Sequence, residues 1–444
     1  KMRGYYAAKA YIPNQDIRDN ILKVNLIEGT VGKVRIKENQ STRESFVAGG
    51  NIYLDSQKSA AFEHLGSGAD TKIRSAENIT LNDVRADGDF LLEAAQNAWL
   101  RDVDVASALT VESGGKLTAD NLDAGKTITL TAAEADLDQV RADGDIKVTV
   151  NGRNLIGALT SADGDIALDV TKADANLRGT LKAGNGEVRV SAANSILNAG
   201  AGAEGAIVAN TVDLTAQKGS IGTADNYLTV DSSYHRAGWI KALAQKGIYI
   251  DEVNGPMNIR QFVSGGNIDM RVNSSIVGIA NADPALPHFK ADNITLHSKG
   301  QIGGSDNPLV LALNNNRRGK INLQAGQGIV VRKLGEGLVS DYIYNDGRGK
   351  IWIELPSGHA HIADVRAADG FKLTIREGMP FYNIWLTNLD LEARMINPPY
   401  TEYPEENPIQ VMSRPLDARY RLQLDRGLFL NIGNVADEEK LSLF

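Results

Sequence analysis

The sequence predicts an all-β fold, a right-handed parallel β-helix (solenoid), with a small α+β head at its N-terminus and a capping region at its C-terminus. Three observations predict it. A short unit of alternating apolar and polar residues recurs at steps of 18 to 24 residues, the mark of a repeat architecture. Thr, Val, Ile and Asp-Gly dominate each unit, which disfavours helix. No proline falls from Asn14 to Gly255, as unbroken inter-strand ladders require.

The clearest unit, Asp83-Val84-Arg85-Ala86-Asp87-Gly88-Asp89-Phe90, returns as Gln139-Val140-Arg141-Ala142-Asp143-Gly144-Asp145-Ile146. A looser copy runs from Asp364 to Phe371. A second strand recurs beginning at Phe90, Leu109, Ile128, Ile146, Ile166, Val188 and Val212, with steps of 19, 19, 18, 20, 22 and 24 residues. The preceding stretch tracks it through Leu81, Leu100, Leu117, Leu137, Leu155 and Leu177. Alternation puts side chains on opposite faces of a strand. Two strands per period, closed by glycine turns, then describe one coil; a hairpin ladder would instead join neighbours by two-residue turns. Ser220-Ile221-Gly222-Thr223-Ala224-Asp225-Asn226-Tyr227-Leu228 is echoed 81 residues later by Gln301-Ile302-Gly303-Gly304-Ser305-Asp306-Asn307-Pro308-Leu309. Strand-like units follow at Ile248, Ile268, Ile294, Ile321, Ile329 and Ile351. The expected domains are a head at 1–40, the β-helix at 41–378, and a linker with a cap or docking segment at 379–444; if residues 50 to 378 all wind, they make about 16 coils spaced by roughly one inter-strand distance.

Composition agrees. Of 444 residues, 44 are glycine and 12 proline, and 6% are aromatic, which suits a narrow aliphatic core closed by glycine turns. There is no cysteine, so neither a disulfide nor a thiolate metal site is available. The net charge of −8 is dispersed, and no basic block points to nucleic acid. No apolar run reaches membrane-helix length, and no signal peptide stands at the start. The chain is read as a processed or excised piece whose export signal lies upstream.

The ends differ from the middle. Gly4-Tyr5, Ala10-Tyr11-Ile12-Pro13-Asn14-Gln15 and Leu26-Ile27-Glu28-Gly29 with Val34 resemble the last helix and final two strands of the POTRA domain of two-partner secretion channels. The main body, roughly residues 75 to 330, resembles filamentous-haemagglutinin-like and leukotoxin-like exoproteins. The Ala-Asp-Gly-Asp-Ile units and the run from Ser220 to Val230 carry that likeness. The resemblance implies export across an outer membrane and a role at the cell surface. At the other end, Asn397-Pro398-Pro399 through Pro408 reads as a linker. Beyond it, Tyr420–Leu424 and Leu428–Ile432 read as two strands that cap the last coil or dock a partner.

Several residues invite chemistry. Asp87 and Asp89, Asp143 and Asp145, and Asp163 and Asp165 are placed to stack carboxylates along one edge and gather calcium. They lack the glycine-rich nonapeptide of calcium-binding rolls, and Asp-Gly suits turns, so they are read as structural turns. Arg85, Arg141 and Arg366 share a register and read as solvated repeat filling. His359 and His361 face one side of a strand, with Asp364 the nearest third ligand for a metal; solvent-facing residues are the expected reading. Asn314-Asn315-Asn316 is expected to form side-chain ladders or a loop tip. Loops bulging around Asn281 to Phe289 and Asp341 to Arg348 are the expected binding elements.

The expected function is an exported cell-surface structural or adhesive protein, a rigid β-helical stalk or filament segment. It is not expected to be an enzyme, and no catalytic, metal or cofactor-binding residue and no cofactor is assigned. The alternatives are a carbohydrate-active β-helix enzyme (polysaccharide lyase or hydrolase), which needs converging acids and bases in a groove, and a self-assembling filament subunit joined through head and tail. Expected partners are the chain itself by end-to-end assembly, a host or cell-surface glycan or protein, and outer-membrane secretion machinery during export. The expected location is extracellular, or the surface of an outer-membrane-bearing bacterium.

Overall fold

A computed structural model describes residues 31–36, 44–202, 205–235, 238–279, 286–316, 318–356, 360–367, 371–375, 384–390, 409–410 and 430–431. The chain divides into two compact units, Lys1–Arg236 and Ala237–Phe444. Each is a parallel β-solenoid, and between them they contribute about 15 turns.

In the first unit the sequence period is the stacking register. Phe90 pairs with Leu109, Leu109 with Ile128, and Ile128 with Ile146. Ile166, Val188 and Val212 continue the same column. All seven residues are buried, as alternation on a half-buried sheet requires.

The second column departs from the leucine spacing at two places. Leu81 pairs with Leu100, but Leu100 then meets Ala119, and Ala98 meets Leu117. Both Leu117 and Ala119 point inward, so large and small residues exchange places between adjacent turns. Likewise Leu137 meets Ile156 rather than Leu155, because Asn154 takes an inward position in Asn154–Ser161. Its amide is satisfied there by the carbonyls of Gly152 and Asp174.

A turn carries three strands, not two. In the turn that starts at Phe90, the strands are Phe90–Ala94, Ala98–Leu100 and Val103–Val105. The third is three residues long and shows one residue to solvent. Its corner is two residues wide, with Asp102 at φ 50°, a conformation Asp tolerates better than most residues. With no glycine to punctuate it, this strand merges with its predecessor in the sequence.

The 81-residue echo is a structural one, with each copy in its own unit. Gly222 and Gly303 both have positive φ, 64° and 70°, where glycine costs least. Each opens a tight turn in which residues three apart exchange backbone bonds, Thr223 with Asn226 and Gly304 with Asn307. The Asn side chain then donates backward to a carbonyl of an earlier turn, Asn226 to Asn198 and Asn307 to Gly278.

In the second unit Ile248, Ile268, Ile294 and Ile321 form one column. Ile329, Ile351 and Phe371 belong to another. Phe262 and Phe289 pack on adjacent turns, ring centroids 5.2 Å apart. The parallel ladder includes Ile384–Asp390, beyond the expected limit at 378. Of the expected head, Val31–Ile36 pairs in parallel with Ile52–Ser56; residues 1–30 and 37–43 lie outside the described residues. So do most of the expected tail and its strand Tyr420–Leu424; Leu430–Asn431 pairs in parallel with Ile409–Gln410.

Candidate binding face

The Asp-Gly-Asp corners work as rungs of a hydrogen-bond ladder. Asp89 Oδ1 accepts the Ala108 N–H at 3.1 Å, Asp145 Oδ1 that of Asp165 at 2.9 Å, and Asp165 Oδ1 that of Glu187 at 2.8 Å. Asp163 accepts from the Asn185 amide. Asp89, Asp145 and Asp165 thus each accept a backbone N–H of the following turn at the point where the chain enters its next strand. The Ser107 hydroxyl and the Ala108 N–H hold the Asp89 carboxyl below its ordinary value. Among the described residues, no three His, Asp or Glu side chains gather as a metal would need.

Arg85 and Arg141 do share one outward row, with Asp104 and Asp123 on the two turns between them. Burial and the neighbouring Asp104 raise the Asp123 carboxyl, against the pull of Arg141. Arg366 lies in the second unit, its guanidinium 4.4 Å over the Tyr344 ring. His359 lies outside the described residues, and His361 is exposed beside Val339. Asp364 is engaged elsewhere: it accepts the Tyr344 hydroxyl at 2.5 Å and lies 3.6 Å from Arg366.

The loop expected at Asp341 to Arg348 contains a strand, Ile343–Asn345, stacked between Ile321–Ala325 and Ala360–Ala367. Instead of bulging, it places Tyr342 and Tyr344 side by side and half-buried on the outside of the turns. Pairing sets the rows of that face. Asp251, Arg271, His297, Gln324, Tyr344 and Arg366 stand on consecutive turns of one outward row.

A polar network crosses these turns. His297 Nδ1 lies 3.1 Å from Gln324 Oε1 and its Nε2 lies 3.2 Å from the Tyr342 hydroxyl. A neutral imidazole satisfies both if Nδ1–H donates to the amide oxygen and Nε2 accepts from the phenol. Gln324 donates onward to Asp346 at 2.6 Å. Tyr342 and Tyr344 stack with centroids 5.0 Å apart. Burial, together with Asp269 and Asp341, raises the Tyr342 phenol, and the bond to Asp364 raises that of Tyr344. One carboxylate oxygen each of Asp269 and Asp364 is buried without a hydrogen-bond partner among the described residues. Such orphaned acceptors are uncommon in native structures.

Among the buried ionisable residues that escaped the sequence reading, Lys333 and His288 stand out. Lys333 follows Phe289 and Leu311 in a core column and is 1% exposed. Its Nζ donates to Asn316 Oδ1 at 2.9 Å and to the carbonyls of Leu334, Gly335 and Glu336 at 3.0 to 3.3 Å. Burial lowers its pKa to about 8. The signal was present: Ile329, Val331 and Lys333 share one parity of the alternation. His288 is the other, 3% exposed. The Asn-rich stretch is thereby explained as a tie between turns, since Asn314 donates back to the Ser264 carbonyl at 2.9 Å while Asn316 receives Lys333. Of the loop expected at Asn281 to Phe289, residues 281–285 lie outside the described residues, and Phe289 is a core strand residue.

No family model, curated protein or solved structure matches the chain.

Proposed function

We propose that the protein is a non-catalytic, exported bacterial surface protein whose solenoid serves as a rigid stalk or adhesive segment. The observation that supports this reading is the use to which the repeat puts its polar side chains. Corner aspartates, serines and asparagines bond the backbone of neighbouring turns, as Asp165 bonds Glu187 and Ser161 the Gly144 carbonyl. Charged residues pair along the ladder in the same way, as Arg74 does with Glu93 at 2.6 Å. Side chains spent on joining turns stiffen a scaffold; an enzyme would aim them at a common point.

Adhesive contact, in this reading, uses the face around Tyr342, Tyr344, His297 and Arg366. Tyrosine and arginine are over-represented where proteins bind partners, and a glycan or protein outside the cell is the partner class proposed. The location proposed is the surface of an outer-membrane-bearing bacterium.

Two experiments test the proposal. Electron microscopy of the purified protein separates a stalk, seen as isolated particles, from a filament subunit, seen as ordered fibres. A screen against polysaccharides for cleavage should be negative; new reducing or unsaturated ends would overturn the non-catalytic reading.

A further inference from the structure

His288 precedes the strand Phe289–Ala291 and is held by backbone on every side. Its Nδ1 accepts the Val310 N–H at 2.9 Å, and its Nε2 donates to the Ile279 carbonyl at 2.9 Å. Its own N–H bonds the Val310 carbonyl, and its carbonyl accepts the Phe262 N–H. Gly278 leaves the space the ring occupies: a Cβ there would lie 2.6 Å from two ring atoms.

This geometry admits one protonation state. Nδ1 must be an acceptor, so the ring is the neutral Nε2–H tautomer. A second proton would set an Nδ1–H against the Val310 N–H, two donors facing each other in a site that is 3% exposed. Among the described residues no charge stands by to compensate. The strands packed about the ring are Met257–Ser264, Ile276–Gly278, Phe289–Ala291 and Leu309–Leu313. Their charged residues are Arg260 and Lys290, both exposed and both cations. Asp292 and Asp306, in the neighbouring turns, do not figure among the influences on the ring. Those are burial, which lowers its pKa, and the Ile279 carbonyl, which opposes the lowering.

We propose that His288 is an acid-sensitive latch, whose protonation breaks the bond from the Val310 N–H and loosens Ile279 and His288 from the strand Leu309–Leu313. The sign follows from linkage. The opened state takes up a proton near the ordinary histidine value, about 6.5, whereas the closed state resists it. Opening is therefore favoured as pH falls below about 6.5 and is independent of His288 above it. An exported protein carrying such a latch would hold this part of its second unit closed in neutral surroundings and open it in acidic ones.

Amide hydrogen exchange of the full chain tests this. The protection factors of Val310 and Phe262, corrected for intrinsic exchange, should be constant above about pH 6.5 and fall by about tenfold per pH unit below it, one proton being taken up on opening. In His288→Asn, whose amide supplies an acceptor that does not become charged at these pH values, the fall should vanish. Unchanged protection in the native protein between pH 7.5 and 5, or an equal fall in the variant, would overturn the proposal. Should the variant not fold, exchange of the imidazole C2 hydrogen in the native chain gives an independent reading. Slow exchange with titration below the ordinary histidine value supports the latch; fast exchange with ordinary titration refutes it.

Discussion

Replacing Lys333 by methionine separates two accounts of a lysine in an aliphatic column. Methionine keeps the length and apolar character of the stem, so core packing along Phe289, Leu311 and residue 333 is preserved. What disappears is the ammonium and its bonds to Asn316 and three carbonyls. An ammonium has three protons, so about three of those bonds hold at once, worth about 1.5 kcal/mol each when charge-assisted. Against that stands the desolvation of the charge. A folded-state value of about 8 instead of 10.5 corresponds to about 3 kcal/mol. Methionine escapes that penalty but leaves Asn316 Oδ1 and three carbonyls without their donor in a buried site, so the substitution should destabilise the second unit by about 1 to 2 kcal/mol at pH 7.5.

The pH dependence sharpens the test. Between about pH 8 and 10.5 the unfolded chain still holds a proton that the folded chain has released. The lysine's contribution to stability therefore rises with pH across that window, relative to the methionine variant. Urea unfolding followed by tryptophan fluorescence at pH 7.5, 9 and 10.5 measures both effects. A methionine variant as stable as the native protein at pH 7.5, or parallel stability curves for the two proteins between pH 8 and 10.5, would refute the cage.

Three further outcomes are expected. Asp165→Ala removes the acceptor of the Glu187 N–H and should cost about 1 kcal/mol in thermal unfolding, whereas a calcium role would instead make the native melting point respond to chelator. Asp123→Asn should stabilise the first unit by about 0.5 kcal/mol at pH 7 by removing a partly buried charge and its repulsion from Asp104 on the adjacent turn. Because the folded carboxyl titrates above its unfolded value, that gain should shrink as pH falls and the native Asp123 takes up its proton. Tyr344→Phe deletes the donor to an Asp364 carboxylate whose other oxygen already has no partner among the described residues. It should cost about 1 to 2 kcal/mol and weaken any glycan or protein partner captured by the native chain.

The turn-to-turn register was legible because one physical rule wrote it. A strand that stacks on copies of itself must repeat its inward residues at the length of a turn, so Phe90 to Val212 announced their own pairing. The rule weakens where volume, not identity, is conserved between turns. Leu117 beside Ala98 and Ala119 beside Leu100 fill one layer jointly, and a search for recurring leucines misplaces them by two residues. The third strand was illegible for another reason: Val103–Val105 offers only one alternation and turns its corner on Asp102 rather than on glycine.

The candidate face was legible only in part. Its residues come from separate turns, as His297 from Gln324 at 27 residues and from Tyr342 at 45, and are joined by outward positions, which the core leaves free to vary. Nothing in the local pattern requires a tyrosine at 342 or an arginine at 366, so sequence could mark the stretch as different without arranging it. Inward positions are the opposite case. The alternation makes Lys333 anomalous at once, since a charged residue on the core parity must find oxygens or destabilise the fold. A residue that breaks the apolar parity of a solenoid is thus an informative sequence signal, whereas its partner is seen only in the structure: Asn316, whose side-chain oxygen joins three backbone carbonyls around the Lys333 ammonium.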